Sequence, residues 1–257
     1  MALRSGGDPG GAEPGRRPRA YLRFMWSHEH RLHRLAVRVF NAAMRLVPFG
    51  IKYGIGRALR ASSLPYSLVE SGSVVVQIGA PKDTLYAGRA RAIYFSLFAG
   101  QDGKVVIVEP NTDSLKEYEA TFSRRGMHNA ILCPVASWSE RKMLTLYISD
   151  SHPASSFTKG TKDYDQSRLQ GFRTVEMSAD TIDNILAAHA IQRVDLVSIT
   201  TNGAEQEILR GMRNAMAAGL PYISLARTGE GYLEIMNGLG YDLYAHDDRG
   251  YTFKRRD

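Results

Sequence analysis

The residues of this chain that are best suited to chemistry stand at the ends of three short apolar runs. The run VVVQI ends in Gly79, the run KVVIV ends in Glu109, and the run VDLVSI ends in Thr200. A glycine at such a position lets a ligand approach the backbone, and a carboxylate at the tip of a second strand is suited to accept hydrogen bonds from ribose hydroxyls. Only one glycine follows the first run, which disfavours a dinucleotide pyrophosphate site. The pattern therefore indicates recognition of an adenosine group.

These positions can meet only if strands and helices alternate, and the sequence beyond Ser62 has that pattern. Strands are predicted at Ser73–Ile78, Lys104–Val108, Ala130–Val135, Met143–Ile148, Arg173–Met177, Val194–Ile199, Tyr222–Leu225, Tyr241–Ala245 and Tyr251–Lys254. Helices are predicted at Ala87–Phe98, Asp113–Ser123, Asp180–His189, Ala204–Ala217 and Gly231–Leu239. Such alternation predicts an α/β domain over residues 62–257 with a mostly parallel sheet covered on both faces. The last two strands are predicted to form a C-terminal antiparallel hairpin in which Gly250 supplies a positive φ.

The N-terminal part of the chain differs from this domain in composition and charge. Residues 1–18 are rich in Gly, Pro and charge, which predicts a disordered tail. Residues 19–61 are predicted to form a basic amphipathic helical segment, because apolar side chains fall on one helical face and arginines on the other. Residues 1–60 hold 12 Lys and Arg against 3 Asp and Glu, a net charge of +9, whereas the remainder has a net charge of −2.

Two interpretations of the basic helical segment remain open. The helix either lies in the headgroup plane of an anionic membrane surface or packs its apolar face on the domain. Nucleic acid is not expected as a partner, since no recognition module accompanies the positive charge.

The composition also limits the compartment and the cofactors. The single cysteine, Cys133, lies in an apolar run, which excludes an intrachain disulfide and favours a reducing, cytoplasmic compartment. No window approaches 18 uncharged apolar residues and the first 20 residues contain no apolar signal core, so we expect a protein that is at most peripheral at a membrane. The histidines of SHEHRLHR are explained more simply by an interfacial helix than by a metal site, so no metal is expected.

Seven motifs in order resemble a known family. The succession VVVQIGA, GKVVIVEPN, PVASWSE, SSF, TIDNIL, VDLVSITTNGAEQEILRGM and LGYDLY is similar to the FkbM family of S-adenosylmethionine-dependent methyltransferases over about residues 70–250. The resemblance implies a Rossmann-like, doubly wound sheet, S-adenosylmethionine as cofactor, and methylation of a hydroxyl of a sugar, glycan or lipid-linked acceptor. It also implies that Gly79 and Ala80 lie under the methionine part of the cofactor, that Glu109 holds the ribose, and that Ala136 and Ser137 lie near the adenine.

The chain departs from the family pattern in charge. Gln77 stands where the family usually has an acidic residue, and SITTNGAE stands where it has KIDVEGAE, so Thr200 and Asn202 replace two carboxylates. Gln77 and Thr200 are expected to contact the cofactor through hydrogen bonds, but neither can serve as a general base. The best remaining candidates for that catalytic role are Glu205 and His152.

These departures leave two functions open. The first is an active O-methyltransferase, and the second is a catalytically inactive methyltransferase-fold protein that serves as a binding or scaffold subunit.

The spacing of the first two site residues also departs from the usual pattern. Gly79 and Glu109 are 30 positions apart, compared with roughly 20 in typical nucleotide sites, which predicts an insertion near the cofactor mouth.

Overall fold

The computed structural model of the chain describes residues 31–149, 156–159, 172–246 and 250–256. The chain divides into two units, residues 1–43 and 44–257. The predicted tail at 1–18, the histidine side chains of SHEHRLHR and His152 lie outside the described part. The predicted domain boundaries after residues 18 and 61 stay predictions.

The described strands follow the predicted order. They are β1 (Val74–Ile78), β2 (Lys104–Val108), β3 (Ala130–Cys133), β4 (Ala136–Ser137), β5 (Lys142–Ser149), β6 (Phe157–Thr158), β7 (Phe172–Asp180), β8 (Leu196–Ile199), β9 (Tyr222–Leu225), β10 (Tyr241–His246) and β11 (Tyr251–Arg255). The described helices are α1 (Arg31–Leu46), α2 (Phe49–Arg60), α3 (Lys82–Tyr86), α4 (Arg91–Ala99), α5 (Thr112–Arg124), α6 (Ile182–Ala188), α7 (Glu205–Arg210), α8 (Arg213–Ala217) and α9 (Glu230–Gly238), with a 3₁₀ turn at Tyr66–Leu68.

A seven-stranded sheet carries the fold, in the order β10-β11-β9-β8-β1-β2-β3. Strands β3, β2, β1, β8 and β9 pair in parallel, and β11 pairs antiparallel with both β9 and β10. This confirms the predicted mostly parallel sheet with an antiparallel C-terminal hairpin. Strand order reverses between β1 and β8, and the carboxyl ends of strands at such a reversal are where open α/β sheets bind ligands.

Both faces of the central strands are covered, as their continuous apolar runs require. Val76 and Ile78 of β1 pack in one buried cluster with helices α6 and α7 and their neighbours, whereas Val75 packs in a second cluster with α2, α4 and α5. Alternate side chains of one strand thus belong to opposite layers, because the side-chain period of a strand is two.

A second sheet of four strands, in the order β4-β7-β5-β6, is inserted between β3 and α6. Strands β5 and β7 pair antiparallel from Lys142 opposite Ala179 to Ser149 opposite Phe172. The predicted strands Met143–Ile148 and Arg173–Met177 lie within β5 and β7. The sequence does not indicate that these strands form a separate sheet, and it does not predict the two-residue strands β4 and β6. Pairing over such short strands depends on tertiary contacts rather than on local pattern.

The predicted helix Ala204–Ala217 is wrong as one element, because the chain breaks at Gly211 and Met212 between α7 and α8. A side chain on Gly211 would overlap the backbone carbonyl of Trp138. The Asp183 carboxylate accepts from the backbone N–H groups of Asn214 and Ala215 at 2.8 and 2.9 Å, which starts the new helix. A helix of uniform apolar periodicity is therefore interrupted by contacts from distant parts of the chain.

The predicted helix Ala87–Phe98 also needs correction. The short helix α3 precedes it, Gly88 has a φ of +67°, and the second helix, α4, begins only at Arg91. The extra turn lies between Gly79 and Glu109, where the sequence predicts an insertion.

The C-terminal hairpin forms as predicted, although residues 247–249 of its turn lie outside the described part. The φ predicted for Gly250 depends on residue 249, so the positive φ stays a prediction. A side chain at this position would overlap the backbone carbonyl of Leu225 on β9. This close backbone approach by itself requires glycine.

The predicted basic segment contains two helices in its described part, α1 and α2, separated at Pro48. Helix α2 packs Tyr53 and Gly56 against the domain, and the Tyr53 hydroxyl donates to the carbonyl of Leu85 at 2.8 Å. None of the helices in the described ranges is both long and apolar enough to span a membrane.

Candidate functional site

A cleft opens at the carboxyl ends of β1, β2 and β8, at the strand-order reversal. It encloses about 630 Å³ of space between the atoms, part of it open to solvent. Its walls are formed by Ile78, Gly79, Pro81, Val108, Glu109, Pro110, Ala136, Ser137, Leu146, Ser156, Phe157, Thr158, Thr200, Thr201, Asn202, Ala204 and Ile208. Five of the seven residues predicted to bind the cofactor, Gly79, Glu109, Ala136, Ser137 and Thr200, thus meet in one cleft.

Gly79 brings the end of β1 against the end of β8. Its φ is +81°, and a Cβ built on it would lie 2.6 Å from the backbone oxygen of Thr200. Only glycine tolerates both the positive φ and this approach. The two strand ends therefore touch backbone to backbone at the floor of the cleft.

Gln77 lies beneath this floor and is 1% exposed. Its amide nitrogen Nε2 donates to Thr200 Oγ1 at 2.8 Å and to the Gly79 carbonyl at 2.8 Å. The Thr200 hydroxyl in turn donates to the same carbonyl at 2.7 Å. The Gln77 oxygen Oε1 is buried without a hydrogen-bond partner. Gln77 and Thr200 thus form one neutral cluster that locks β1 to β8.

Glu109 follows β2 and is almost fully buried. Its carboxylate accepts from the backbone N–H of Ala80 at 2.7 Å and from that of Asn111 at 2.9 Å. Burial raises the pKa of Glu109, and the two backbone donors oppose that shift. Ala80, which the family resemblance also implies for the site, therefore acts through its N–H on Glu109 and does not itself line the cleft.

Two hydroxyl groups in the cleft lack partners. Ser137 Oγ and Thr201 Oγ1 are buried, and neither has a hydrogen-bond partner. Buried hydroxyls are normally satisfied, so an unpaired one in a cleft is suited to a polar ligand. Ser137 is one of the residues that the family resemblance implies for the site.

The second sheet supplies a wall that the sequence does not predict. Leu146, Ser156, Phe157 and Thr158 line the cleft from β5 and β6, and Phe157 stacks on Tyr147 with ring centroids 5.2 Å apart. The only signal in the sequence is the motif SSF, which supports the family resemblance but indicates no position. The side-chain amide of Asn202 donates to the Ser156 carbonyl at 2.8 Å and links this wall to the turn after β8.

Glu205, predicted as a catalytic residue, lies behind the turn and does not line the cleft. Its side chain is 0% exposed. The carboxylate accepts from the backbone N–H of Gly203, from Arg227 Nε and from the Tyr232 hydroxyl, each at 3.2 Å. It therefore connects the turn to the segment after β9. His152, the other predicted catalytic residue, lies outside the described residues.

Comparison with known proteins identifies a family match over most of the domain. The family model described as the methyltransferase FkbM domain matches residues 77–242. Among solved structures, the chain is similar to the methyltransferase FkbM from Methylobacillus flagellatus KT, with 14% identity over 86% of this chain and a TM-score of 0.48. The chain spans 58% of the length of that protein.

Two further solved structures resemble the chain. A SAM-dependent O-methyltransferase from Thermotoga maritima has 9% identity, covers 82% of this chain and 67% of its own length, and has a TM-score of 0.39. Fibrillarin from Aeropyrum pernix, in complex with S-adenosyl-L-methionine, has 13% identity, covers 79% of this chain and 74% of its own length, and has a TM-score of 0.39. The comparison with curated proteins found no match.

Proposed function

Since the chain belongs to the FkbM family of methyltransferases, we propose that it is an S-adenosylmethionine-dependent O-methyltransferase. Its acceptor, in this proposal, is a hydroxyl group of a sugar, a glycan or a lipid-linked molecule. The observation that supports the proposal is the convergence of Gly79, Glu109, Ser137 and Thr200 on one cleft at the strand-order reversal.

The residues of the cleft fit S-adenosylmethionine. The Gly79 backbone leaves room for a ligand at the end of β1, and the Glu109 carboxylate retains acceptor capacity for ribose hydroxyls beside its two backbone donors. The unpaired hydroxyls of Ser137 and Thr201 offer further hydrogen bonds. We propose these four residues, with Ala80, Ala136, Gln77 and Thr200 around them, as the cofactor site.

Bound S-adenosylmethionine would supply a methyl group whose bond to sulfur breaks as the acceptor oxygen bonds to carbon, leaving S-adenosylhomocysteine and the hydroxyl proton. Within the described ranges, Glu109 is the one ionisable residue that lines the cleft. Each of its carboxylate oxygens already accepts a hydrogen bond from a backbone N–H group, one from Ala80 and one from Asn111. We propose His152 as the group that takes the proton. It stands four positions before Ser156, which lines the cleft, so the chain can bring it within reach.

The second candidate function is that of a catalytically inactive protein with this fold, which binds the cofactor or a partner without turnover. The observation that favours it is the neutrality of the turn: Thr200, Thr201 and Asn202 line the cleft, and none of these side chains can take a proton at neutral pH. Glu205, the acidic residue that follows, has both carboxylate oxygens engaged.

Calorimetry on the full chain tests the cofactor site. We expect S-adenosylmethionine to bind, Glu109→Ala to abolish the binding, and the control Glu119→Ala, which alters an exposed carboxylate on α5, to leave it unchanged. The acceptor is then sought by transfer of a labelled methyl group to fractionated glycans and lipids. Binding with transfer supports the enzyme, and binding without transfer to any fraction supports the inactive protein. No binding contradicts the enzyme and leaves only the form of the inactive protein that binds a partner.

We further propose that the protein lies at an anionic membrane surface from the cytoplasmic side. Ile51, Ile55 and Leu59 follow one another at four-residue spacing on α2, and each is more than half exposed. They lie opposite the face on which Tyr53 is buried. No Asp or Glu occurs between residues 30 and 69, a stretch that carries the arginines of α1 and α2. An exposed apolar stripe in a segment whose charges are all basic suits an anionic bilayer.

Vesicle flotation tests this surface. We expect the full chain to float with phosphatidylserine-containing vesicles but not with pure phosphatidylcholine, and we expect simultaneous replacement of Ile51, Ile55 and Leu59 by Ser to abolish flotation. The matched control replaces Leu239 and Leu243, which are exposed elsewhere on the domain. Equal flotation of both variants, or none by the wild type, contradicts the proposal.

A further inference from the structure

The short helix α3 directly follows the turn at the end of β1 that carries part of the cofactor site. In that turn, the Ala80 N–H donates to the Glu109 carboxylate at 2.7 Å, and Pro81 lines the cleft. The first residue of α3 comes next in the chain. The Thr84 hydroxyl of α3 donates back to the Pro81 carbonyl at 2.7 Å. The conformation of the turn therefore depends on whether α3 is formed.

Helix α3 needs support from other parts of the chain. It has five residues, and its N-cap residue, Pro81, makes no side-chain hydrogen bond. Isolated helices shorter than about 12–15 residues are marginal in water, and the last carbonyls of a helix have no partner within it. Helix α5 supports the first turn of α3, because the Lys82 N–H donates to the Ser114 hydroxyl at 3.2 Å. The C-terminal end of α3 depends on a different element.

That element is helix α2, which caps α3 with two side chains. The Tyr53 hydroxyl donates to the Leu85 carbonyl at 2.8 Å, and Lys52 Nζ donates to the Tyr86 carbonyl at 3.3 Å. Leu85 and Tyr86 are the last two residues of α3, and a cationic side chain at this end of a helix also interacts favourably with the helix dipole. Tyr53 is 1% exposed, so water does not compete for its hydrogen bond.

The turn after α3 also fits closely against α2. Gly88 has a φ of +67°, and a Cβ built on it would lie 2.7 Å from Lys52 Cγ. On α2, a Cβ at Gly56 would overlap the Tyr94 hydroxyl, which donates to the Gly88 carbonyl at 2.7 Å. The family model matches residues 77–242, so α2 lies outside the matched domain although it completes α3.

We propose that Lys52 and Tyr53 are positioning residues for the cofactor site, because they cap α3 and thereby hold the turn at residues 79–81 in the conformation that binds S-adenosylmethionine. The inference rests on the proposed cofactor site. A molecule in which α3 is unfolded loses the support of the hydrogen bond between Ala80 and Glu109. The apparent affinity for the cofactor therefore falls with the fraction of molecules in which α3 is formed.

Calorimetry with S-adenosylhomocysteine on the full chain tests the proposal. We expect the double variant Lys52→Met/Tyr53→Phe to bind about tenfold more weakly or worse, since each lost hydrogen bond shifts the equilibrium of α3 by about two- to tenfold. The matched control is Lys104→Met/Tyr241→Phe. Lys104 is exposed, and the Tyr241 hydroxyl donates to the Leu220 carbonyl at 2.7 Å near the amino end of β9, away from the cleft. Its affinity should stay within about twofold of the wild type, because distant substitutions act independently.

Hydrogen exchange separates local positioning from a general loss of stability. In the Lys52→Met/Tyr53→Phe variant, the amides of residues 79–88 should exchange at least about tenfold faster than in the wild type. The amides of β8 and β9 should change no more than they do in the control variant. Lys52→Arg keeps a cationic donor, so we expect its exchange rates and its affinity to match those of the wild type.

The outcomes separate this inference from the proposed function. Equal affinities of the double variant and the control overturn the inference and leave the cofactor site standing. Unchanged exchange at residues 79–88 also overturns it, because α3 would then be stable without its cap. No binding of S-adenosylmethionine or S-adenosylhomocysteine by the wild type overturns both. If circular dichroism shows that the double variant is not folded, Tyr53→Phe, which removes one oxygen atom, is compared with Tyr241→Phe in the same two measurements.

Discussion

The contacts of Glu205 predict that it holds the turn after β8 in place and takes no part in proton transfer. Its carboxylate is fully buried and receives three hydrogen bonds, from Gly203, Arg227 and Tyr232. The perturbation is Glu205→Gln, which keeps the volume and one acceptor oxygen, followed by Glu205→Ala, which removes both oxygens. The matched control is Gln206→Ala, since Gln206 is exposed in the same helical turn.

The magnitude follows from burial and partners. Removing one member of a buried ion pair costs about 3–5 kcal/mol, and each hydrogen bond to a charged group contributes about 1.5–3 kcal/mol. Arg227 is 34% exposed, so water can solvate it once its partner is gone. We therefore expect the free energy of unfolding to fall by about 2 kcal/mol in Glu205→Gln and by about 3–4 kcal/mol in Glu205→Ala.

Urea unfolding followed by circular dichroism measures these losses. A double-mutant cycle with Tyr232→Phe should give a coupling energy of about 1 kcal/mol with Glu205→Gln, because the two side chains share one hydrogen bond. Binding of S-adenosylhomocysteine should weaken in parallel with the loss of stability. If Glu205→Gln instead abolished methyl transfer while stability and binding stayed within about 0.5 kcal/mol of the wild type, the carboxylate would have to react directly and our reasoning would be refuted.

Three further predictions concern single residues. Gly79→Ala should lower the free energy of unfolding, measured in urea, by about 3 kcal/mol or more, because the positive φ alone costs about 1–2 kcal/mol and the Cβ would also overlap Thr200. The control is Gly126→Ala, which has a positive φ but no atom within 4 Å of the added Cβ. It should lose only the about 1–2 kcal/mol that the positive φ costs. Burial raises the pKa of Glu109 from its ordinary value of 4.5, so the folded state binds this proton more tightly than the unfolded state, and stability contributed by Glu109 falls as pH rises from about 4.5 to the raised pKa. Glu109→Gln cannot titrate and should not show this loss of stability. The melting temperature of the variant minus that of the wild type should therefore rise between pH 4.5 and the raised pKa of Glu109 and stay constant above it. A difference that does not change with pH would show that the pKa of Glu109 is not raised in the folded protein. Burial raises the pKa of the Cys133 thiol from 9.0 to about 11, so Ellman's reagent at pH 8 should react roughly 100-fold more slowly with the native protein than with the unfolded chain, and equal rates would show that the thiol is exposed.

Sequence periodicity is sufficient to predict the main sheet. Strands β2 and β9 have the predicted bounds, and β1 differs by one residue, because continuous β-branched runs are typical of buried parallel strands. The break between α7 and α8 could not be predicted, since apolar spacing continues through Gly211. The interruption comes from Trp138 and Asp183, which are distant in sequence, and no local pattern records such contacts.

The residues of the candidate site likewise include some that local sequence predicts and some that depend on distant contacts. Gly79, Glu109 and Thr200 are predictable because they stand at strand ends, and the ends of adjacent parallel strands lie together. Phe157 could not be predicted, since its strand has two residues and is placed by pairing with β5. The role of Glu205 depends on Arg227 and Tyr232, which lie 22 and 27 positions further along the chain.

The turn after β8 therefore contains two kinds of residue with separable roles. Gly203 and Glu205 fix the turn from behind, through an N–H group and an ion pair that face away from the cleft. Thr200 and Asn202 face the cleft and contact Gly79 and Ser156. Because the supporting contacts do not involve the cleft-facing side chains, charge can be lost from the cleft while the turn keeps its geometry. The replacement of two acids by Thr200 and Asn202 is thus compatible with a preserved cofactor site. Whether the protein is active then depends on the group that takes the proton from the acceptor hydroxyl. Replacing His152 by Gln should then abolish methyl transfer and leave the affinity for S-adenosylhomocysteine unchanged, whereas full activity of that variant would remove His152 from the mechanism.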